Sequence, residues 1–125
     1  MNDRNLYLLA KKAKDMSYSP YSKFKVGAAL LCKNGDVYLG TNIENASFGA
    51  TVCAERVAIY KAVSDSNRDF CKIAVAGDKD PCTPCGICRQ VMAEFSANIE
   101  IVYKSKEGEI VSRKISDLLP ENFSL

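Results

Sequence analysis

Lys25-Val26-Gly27-Ala28-Ala29-Leu30-Leu31, then Asn34-Gly35, then Val37-Tyr38-Leu39, is the stretch whose reading sets the fold class. Both apolar runs are strand-like, and Asn-Gly accepts the positive φ angles that a tight hairpin turn demands. Upstream, Leu6, Leu9, Ala10, Ala13 and Met16 recur at helical spacing and the pattern stops before Ser19-Pro20, which predicts an amphipathic helix ahead of the hairpin. Downstream, Thr41 to Ala50 has no periodicity and carries many hydrogen-bonding side chains, as expected of a loop that lines a pocket. A second helix is predicted from about Val52, capped by Thr51, with Ala54, Val57, Ala58 and Ala62 facing inward. Ile73-Ala74-Val75-Ala76 is short and continuously apolar, the pattern of a strand covered on both faces. Thr83-Pro84 reads as a cap followed by proline at the first position of a third helix, which would run through Val91, Met92 and Phe95. Ile99 to Tyr103 and Ile110 to Arg113, separated by Glu107-Gly108, read as two more strands, and a short helix around Asp117-Leu118-Leu119 closes the pattern. Helices alternating with strands predict an α/β sandwich with a largely covered sheet.

The 125 residues, 47% of them apolar, suit one domain spanning 1–125. Seventeen basic and fifteen acidic residues, net charge +2, are spread along the chain. Such a distribution lacks the basic patch of a dedicated nucleic-acid binder and favours a small or neutral ligand. No run approaches the roughly 20 apolar residues of a membrane span, and Met1-Asn2-Asp3-Arg4-Asn5 opens a polar segment unlike a signal peptide. The expectation is therefore a cytoplasmic protein. Six cysteines and no histidine narrow the chemistry further. Without a secretion signal, clustered cysteines point to metal or thiol chemistry ahead of a disulfide framework. Cys32 and Cys71 stand alone in apolar runs where free thiols are ordinary, whereas Cys82, Cys85 and Cys88 crowd together.

Cys85-Gly86-Ile87-Cys88 places two thiols three residues apart at the start of a predicted helix, on one side, where they can share a metal. A redox pair is the weaker reading, because the turn from Asp80 to Pro84 separates the motif from the preceding strand. Cys53-Ala54-Glu55 adds a third cysteine at another helix start, with a carboxylate two residues on. Three protein ligands leave one coordination position for water, the mark of a catalytic zinc, while four close a structural site. Cys82 keeps that second possibility open, as the fourth ligand of a non-catalytic zinc module.

Thr51-Val52-Cys53-Ala54-Glu55-Arg56 followed by Pro84-Cys85-Gly86-Ile87-Cys88-Arg89-Gln90 resembles the small, homotetrameric, zinc-dependent cytidine deaminases. The resemblance extends through Tyr18-Ser19-Pro20-Tyr21-Ser22-Lys23-Phe24, Val26 to Leu30, Asn42-Ile43-Glu44-Asn45-Ala46 and Leu118-Leu119-Pro120. It implies a three-layer α/β/α sandwich on a mixed five-stranded sheet, and hydrolysis of cytidine, with deoxycytidine alongside, to uridine and ammonia in pyrimidine salvage. It further implies that Cys53, Cys85 and Cys88 hold one Zn²⁺ per chain, that Glu55 moves protons, and that Arg56 supports the ligand sulfurs. Phe24, Asn42, Glu44 and Ala54 would meet the nucleoside; Arg89 is expected to be structural, facing solvent or a neighbouring chain. Neighbouring subunits of a homotetramer would complete each pocket through Ala46, Phe48 and Phe123, with Phe48 standing where a tyrosine is common. A related deaminase acting on a free base or another aminated heterocycle remains the alternative within enzymes.

Overall fold

The hairpin forms, but not by a two-residue turn with positive φ at both Asn34 and Gly35: Cys32 O accepts from Gly35 N at 3.0 Å, Cys32 N donates to Asp36 O at 2.9 Å, and of the pair only Gly35 takes a positive φ. In the computed structural model, which describes Met1 to Leu125, β1 (Val26–Cys32) pairs antiparallel with β2 (Val37–Thr41). Gly35 takes φ +95° in the turn, a conformation open to a residue without a β-carbon. Strand β3 (Phe70–Gly77) pairs antiparallel with the other edge of β1, β4 (Glu100–Lys104) lies parallel to β3, and β5 (Ile110–Lys114) closes the far edge antiparallel. The order is therefore β2-β1-β3-β4-β5 in one mixed five-stranded sheet.

Side chains alternate between two apolar layers, as a pleated strand requires. On one face Ala28, Leu30, Ile73, Val75 and Ile101 pack against Ala54, Ala58, Ile59 and Ala62 of α2 (Ala54–Ser64) and Cys88 and Met92 of α3 (Gly86–Phe95). On the other, Ala29, Leu31, Ala74, Ala76 and Val102 pack against Leu6, Tyr7 and Ala10 of α1 (Asp3–Ala13). The result is the expected three-layer α/β/α sandwich, with α4 (Ile115–Leu118) tucked behind β5. Each buried Ile or Leu contributes roughly 1.5–3 kcal/mol of apolar transfer.

Three boundaries differ from the sequence reading. α1 ends at Ala13 and continues as a tighter turn over Lys14–Met16, so Met16 is 80% exposed and Tyr7, not Met16, joins the core. α2 begins two residues late: Val52 is held extended by an antiparallel bridge to Ile43, and Thr51 Oγ1 accepts from Asn45 N instead of capping a helix. α3 likewise starts after Cys85, with Pro84 buried outside it. Both helices thus have a cysteine, Cys53 or Cys85, as N-cap.

The topology explains why these two helix starts meet. β2 and β3 both run antiparallel to β1 and β4 runs parallel to β3, so β2, β3 and β4 point the same way. α2 follows β2 and α3 follows β3, and both lie on one face. Their N-termini therefore emerge at the carboxyl end of the strands, where open α/β sheets place ligands. β2 and α2 approach closely at Gly40, where a β-carbon would lie 2.3 Å from Ala54 O and 2.6 Å from Ala58 N. Gly40→Ala is expected to lower stability by about 1–3 kcal/mol or more, read by urea denaturation, because the clash is with helix backbone that cannot rotate away; an unchanged midpoint would contradict this packing.

Candidate metal and proton-transfer site

Cys53, the N-cap of α2, and Cys85 and Cys88, the N-cap and third helical residue of α3, bring three sulfurs within 4.8 Å of one another. Cys53 Sγ and Cys85 Sγ are 3.7 Å apart. Two thiolates bound about 2.3 Å from one zinc at the tetrahedral angle would lie about 3.8 Å apart, so the pair already has the spacing of two ligands to a single ion. All six cysteines are free, so no disulfide consumes these thiols. Neither N-cap side chain makes a capping bond to the backbone of its own helix, which leaves both sulfurs free for a shared partner while the positive helix ends favour their charged form.

Neighbouring groups tune the cluster. Hydrogen bonding from the Cys88 thiol, with help from Arg56 and Cys85 and against burial, holds Cys53 well below the ordinary thiol range. The same hydrogen bond and burial push Cys88 upward. Arg56 Nη2 donates to Cys53 Sγ at 3.6 Å. Its Nε is buried with no partner. Three thiolates and one Zn²⁺ sum to −1, which the adjacent guanidinium cancels.

Glu55, second residue of α2, is the one buried charged side chain, 3% exposed. Burial, with the Cys53 charge a smaller contribution, pushes its carboxyl up to about 7. Ala54 beside it is buried. Cys85 and Ile87 are exposed, so the cluster opens on one side.

Cys82 does not join the cluster. A β-carbon on Gly77 would lie 2.6 Å from Cys82 Sγ and 3.1 Å from Phe24 Cε1, so Cys82 packs on the end of β3 beside the Phe24 ring. Burial, and then the charge of Glu55, push its thiol up to about 12. The four-cysteine zinc knot left open by the spacing is therefore not the arrangement the chain adopts.

Asn42 and Glu44 are engaged with backbone groups and serine hydroxyls of the segment from Ser17 to Val26. Asn42 Oδ1 accepts from Val26 N at 3.0 Å and from Ser17 Oγ, and its Nδ2 donates to Phe24 O at 2.8 Å. One amide hydrogen remains free. Glu44 Oε1 accepts from Tyr21 N at 2.9 Å and Ser22 N at 3.0 Å, and Oε2 accepts from Ser22 Oγ. These bonds, the Ser22 hydroxyl first, hold its carboxyl below the usual range. With about four acceptor sites on a carboxylate, one remains, on Oε2. The Asn42–Glu44 pair thus offers one donor and one acceptor to a ligand.

Ala46, Phe48 and Phe123 are all on the surface, Phe48 77% and Phe123 69% exposed. Phe48 meets Tyr21 edge to face, with ring centroids 6.2 Å apart, over a concavity of about 240 Å³ that Glu44 also lines. Gln90 Nε2 donates to Phe123 O at 3.0 Å, fastening the last residues to α3. Arg89 is not solvated as a helix arginine usually is: Nε donates to Pro84 O at 2.8 Å and Nη1 to Leu118 O at 2.9 Å, tying the cysteine turn to α4. Ser17, Ser22 and Gly77 were invisible as site residues in the sequence, because each matters through a partner distant along the chain.

A model of the cytidine and deoxycytidylate deaminase zinc-binding region matches residues 1–104. The chain is 46% identical to the cytidine deaminase of Sporosarcina psychrophila, over 99% of this chain and 93% of that protein. It is 48% identical to that of Halalkalibacterium halodurans, over 99% and 96%. Its fold superposes on the crystal structure of cytidine deaminase from Burkholderia pseudomallei with a TM-score of 0.93 at 43% identity, covering 98% of this chain and 100% of that one. The geometry predicts that Cys82→Ser keeps about one zinc per chain while Cys88→Ser loses it, measured by metal analysis of purified protein; loss on Cys82→Ser would show the ligand set to be wrong.

Proposed function

The chain belongs to the zinc-dependent cytidine and deoxycytidylate deaminase family, and from that premise we propose that it hydrolyses the 4-amino group of cytidine, and of deoxycytidine, to give uridine or deoxyuridine and ammonia. The observation that carries the proposal is the trio Cys53, Cys85 and Cys88 with a buried carboxyl, Glu55, two residues from the first of them.

Cys53, Cys85 and Cys88 would hold one Zn²⁺, leaving a single face open toward the solvent side of Cys85. A zinc ion held there supplies Lewis acidity that makes water a competent nucleophile near neutral pH. Glu55 does the proton work: its carboxylate takes the proton of the attacking water, gives it to N3 of the ring, and passes the second to the amino nitrogen as ammonia leaves. Arg56, donating to Cys53 Sγ, offsets the negative charge of the thiolate cluster without adding a ligand. Burial of Ala54 and Glu55 excludes bulk water from the proton path. Phe24 packs on the flat heterocycle, and the free Asn42 N–H and the remaining Glu44 Oε2 site suit two sugar hydroxyls, one accepting and one donating. That pairing favours a nucleoside over a free base.

A homotetramer in which neighbours contribute Ala46, Phe48 and Phe123 to each pocket fits the exposure of those residues and the open side of the cluster. No helix is long and apolar enough to cross a membrane, and six free thiols suit the reducing cytoplasm. A role in pyrimidine salvage follows from the reaction.

The wild-type protein is expected to convert cytidine to uridine with one ammonia per turnover, and Glu55→Gln to lower kcat by about 10²–10⁴-fold or more with zinc retained. Zinc-loaded protein that left cytidine, deoxycytidine and cytosine untouched would overturn the proposal. The assembly is read by sedimentation, where a mass of four chains is expected and a stable, fully active monomer would refute shared pockets.

A further inference from the structure

Resting on that reading of the Phe24–Glu44 region, we propose that Ser22 is a positioning residue that couples the sugar-binding carboxylate to the ring that packs on the base. Its hydroxyl does two things at once. It donates to Glu44 Oε2, and it accepts from the Phe24 backbone N–H at 3.0 Å. The single atom Ser22 Oγ therefore stands between Glu44 and Phe24.

Lys23, between them, sits at φ +59°, in the left-handed region that a residue with a β-carbon adopts only at a cost. A turn with that conformation persists only where surrounding bonds impose it. Here they are the two backbone N–H groups of Tyr21 and Ser22 on Glu44 Oε1, the Ser22 hydroxyl on Oε2, and the Asn42 amide on Phe24 O. Of these, the hydroxyl is the one that shares its oxygen with the last acceptor site of the carboxylate. Ser22 thereby aims that site, and a sugar hydroxyl arriving at Oε2 tightens the same turn that presents Phe24. The arrangement makes Ser22 act on substrate binding through Glu44, with no contact to the reacting atoms.

Ser22→Ala is expected to raise KM for cytidine about tenfold, the loss of one hydrogen bond to a charged group, with kcat within about twofold. Ser22→Thr, which keeps the hydroxyl, should restore KM to within about threefold. In a Glu44→Gln background the Ser22→Ala effect on kcat/KM should shrink below about threefold, because the two act as one unit. An unchanged KM in Ser22→Ala, a fall in kcat alone, or the full tenfold loss persisting beside Glu44→Gln overturns the proposal. Hydrogen exchange at the Phe24 amide reads the same bond without turnover: Ser22→Ala should speed it about tenfold and Ser22→Thr should not. Wild-type protein inactive on cytidine would count against the deaminase reading, while unchanged Phe24 exchange in Ser22→Ala would count against this one.

Discussion

The convergence of two helix N-termini on one point is the constraint from which the rest of the site follows. Cys53 and Cys85 each occupy an N-cap, so their sulfurs lie where the partial positive charge of the helix is greatest, and Cys88 is brought alongside by one turn of α3. That convergence is in turn a product of strand direction. Because β2, β3 and β4 run the same way, both connecting helices must begin at the same edge of the sheet. The sheet is thus the device that turns two distant cysteine motifs into one ligand set. Small residues make the approach close enough: Gly40 lets β2 rest against the first turns of α2, and Ala54, Ala58 and Ala62 continue the seam.

Charge is managed at short range. A cluster of three thiolates would be prohibitive in a buried setting without cations, and the chain provides the Arg56 guanidinium in contact with Cys53 together with the two helix ends. Glu55 adds a further acid to this neighbourhood and is kept protonatable by burial. Environment sets these groups apart: Cys53, half-buried, is held as the more acidic thiol, burial raises the Glu55 carboxyl to about 7, and Cys82, three residues before Cys85 and packed on Gly77, is raised to about 12.

The hairpin, the strands and the existence of each helix were legible because they rest on local pattern: Gly35 for the turn, and continuous apolar character in β1 and β3, which are covered on both faces. The starts of α2 and α3 were not, since Val52 is pulled extended by Ile43 and the Thr51 hydroxyl is taken by Asn45, contacts that no helix-cap pattern encodes. The metal trio could be read from spacing and the helix starts, and the family resemblance narrowed it to three of the four candidate cysteines. The polar loop was harder. Asn42 and Glu44 were singled out as candidate ligand contacts only by resemblance. Their structural duty, holding the Tyr21 to Phe24 turn across 18 to 23 residues of sequence, depends on tertiary folding.

Catalysis at this site requires a three-sulfur zinc with one position left open. X-ray absorption at the zinc edge of the purified, zinc-loaded protein tests it most directly. Three sulfur neighbours at about 2.3 Å and one lighter oxygen or nitrogen atom are expected; four sulfurs would mean that Cys82 closes the site, and the catalytic reading would fail with it.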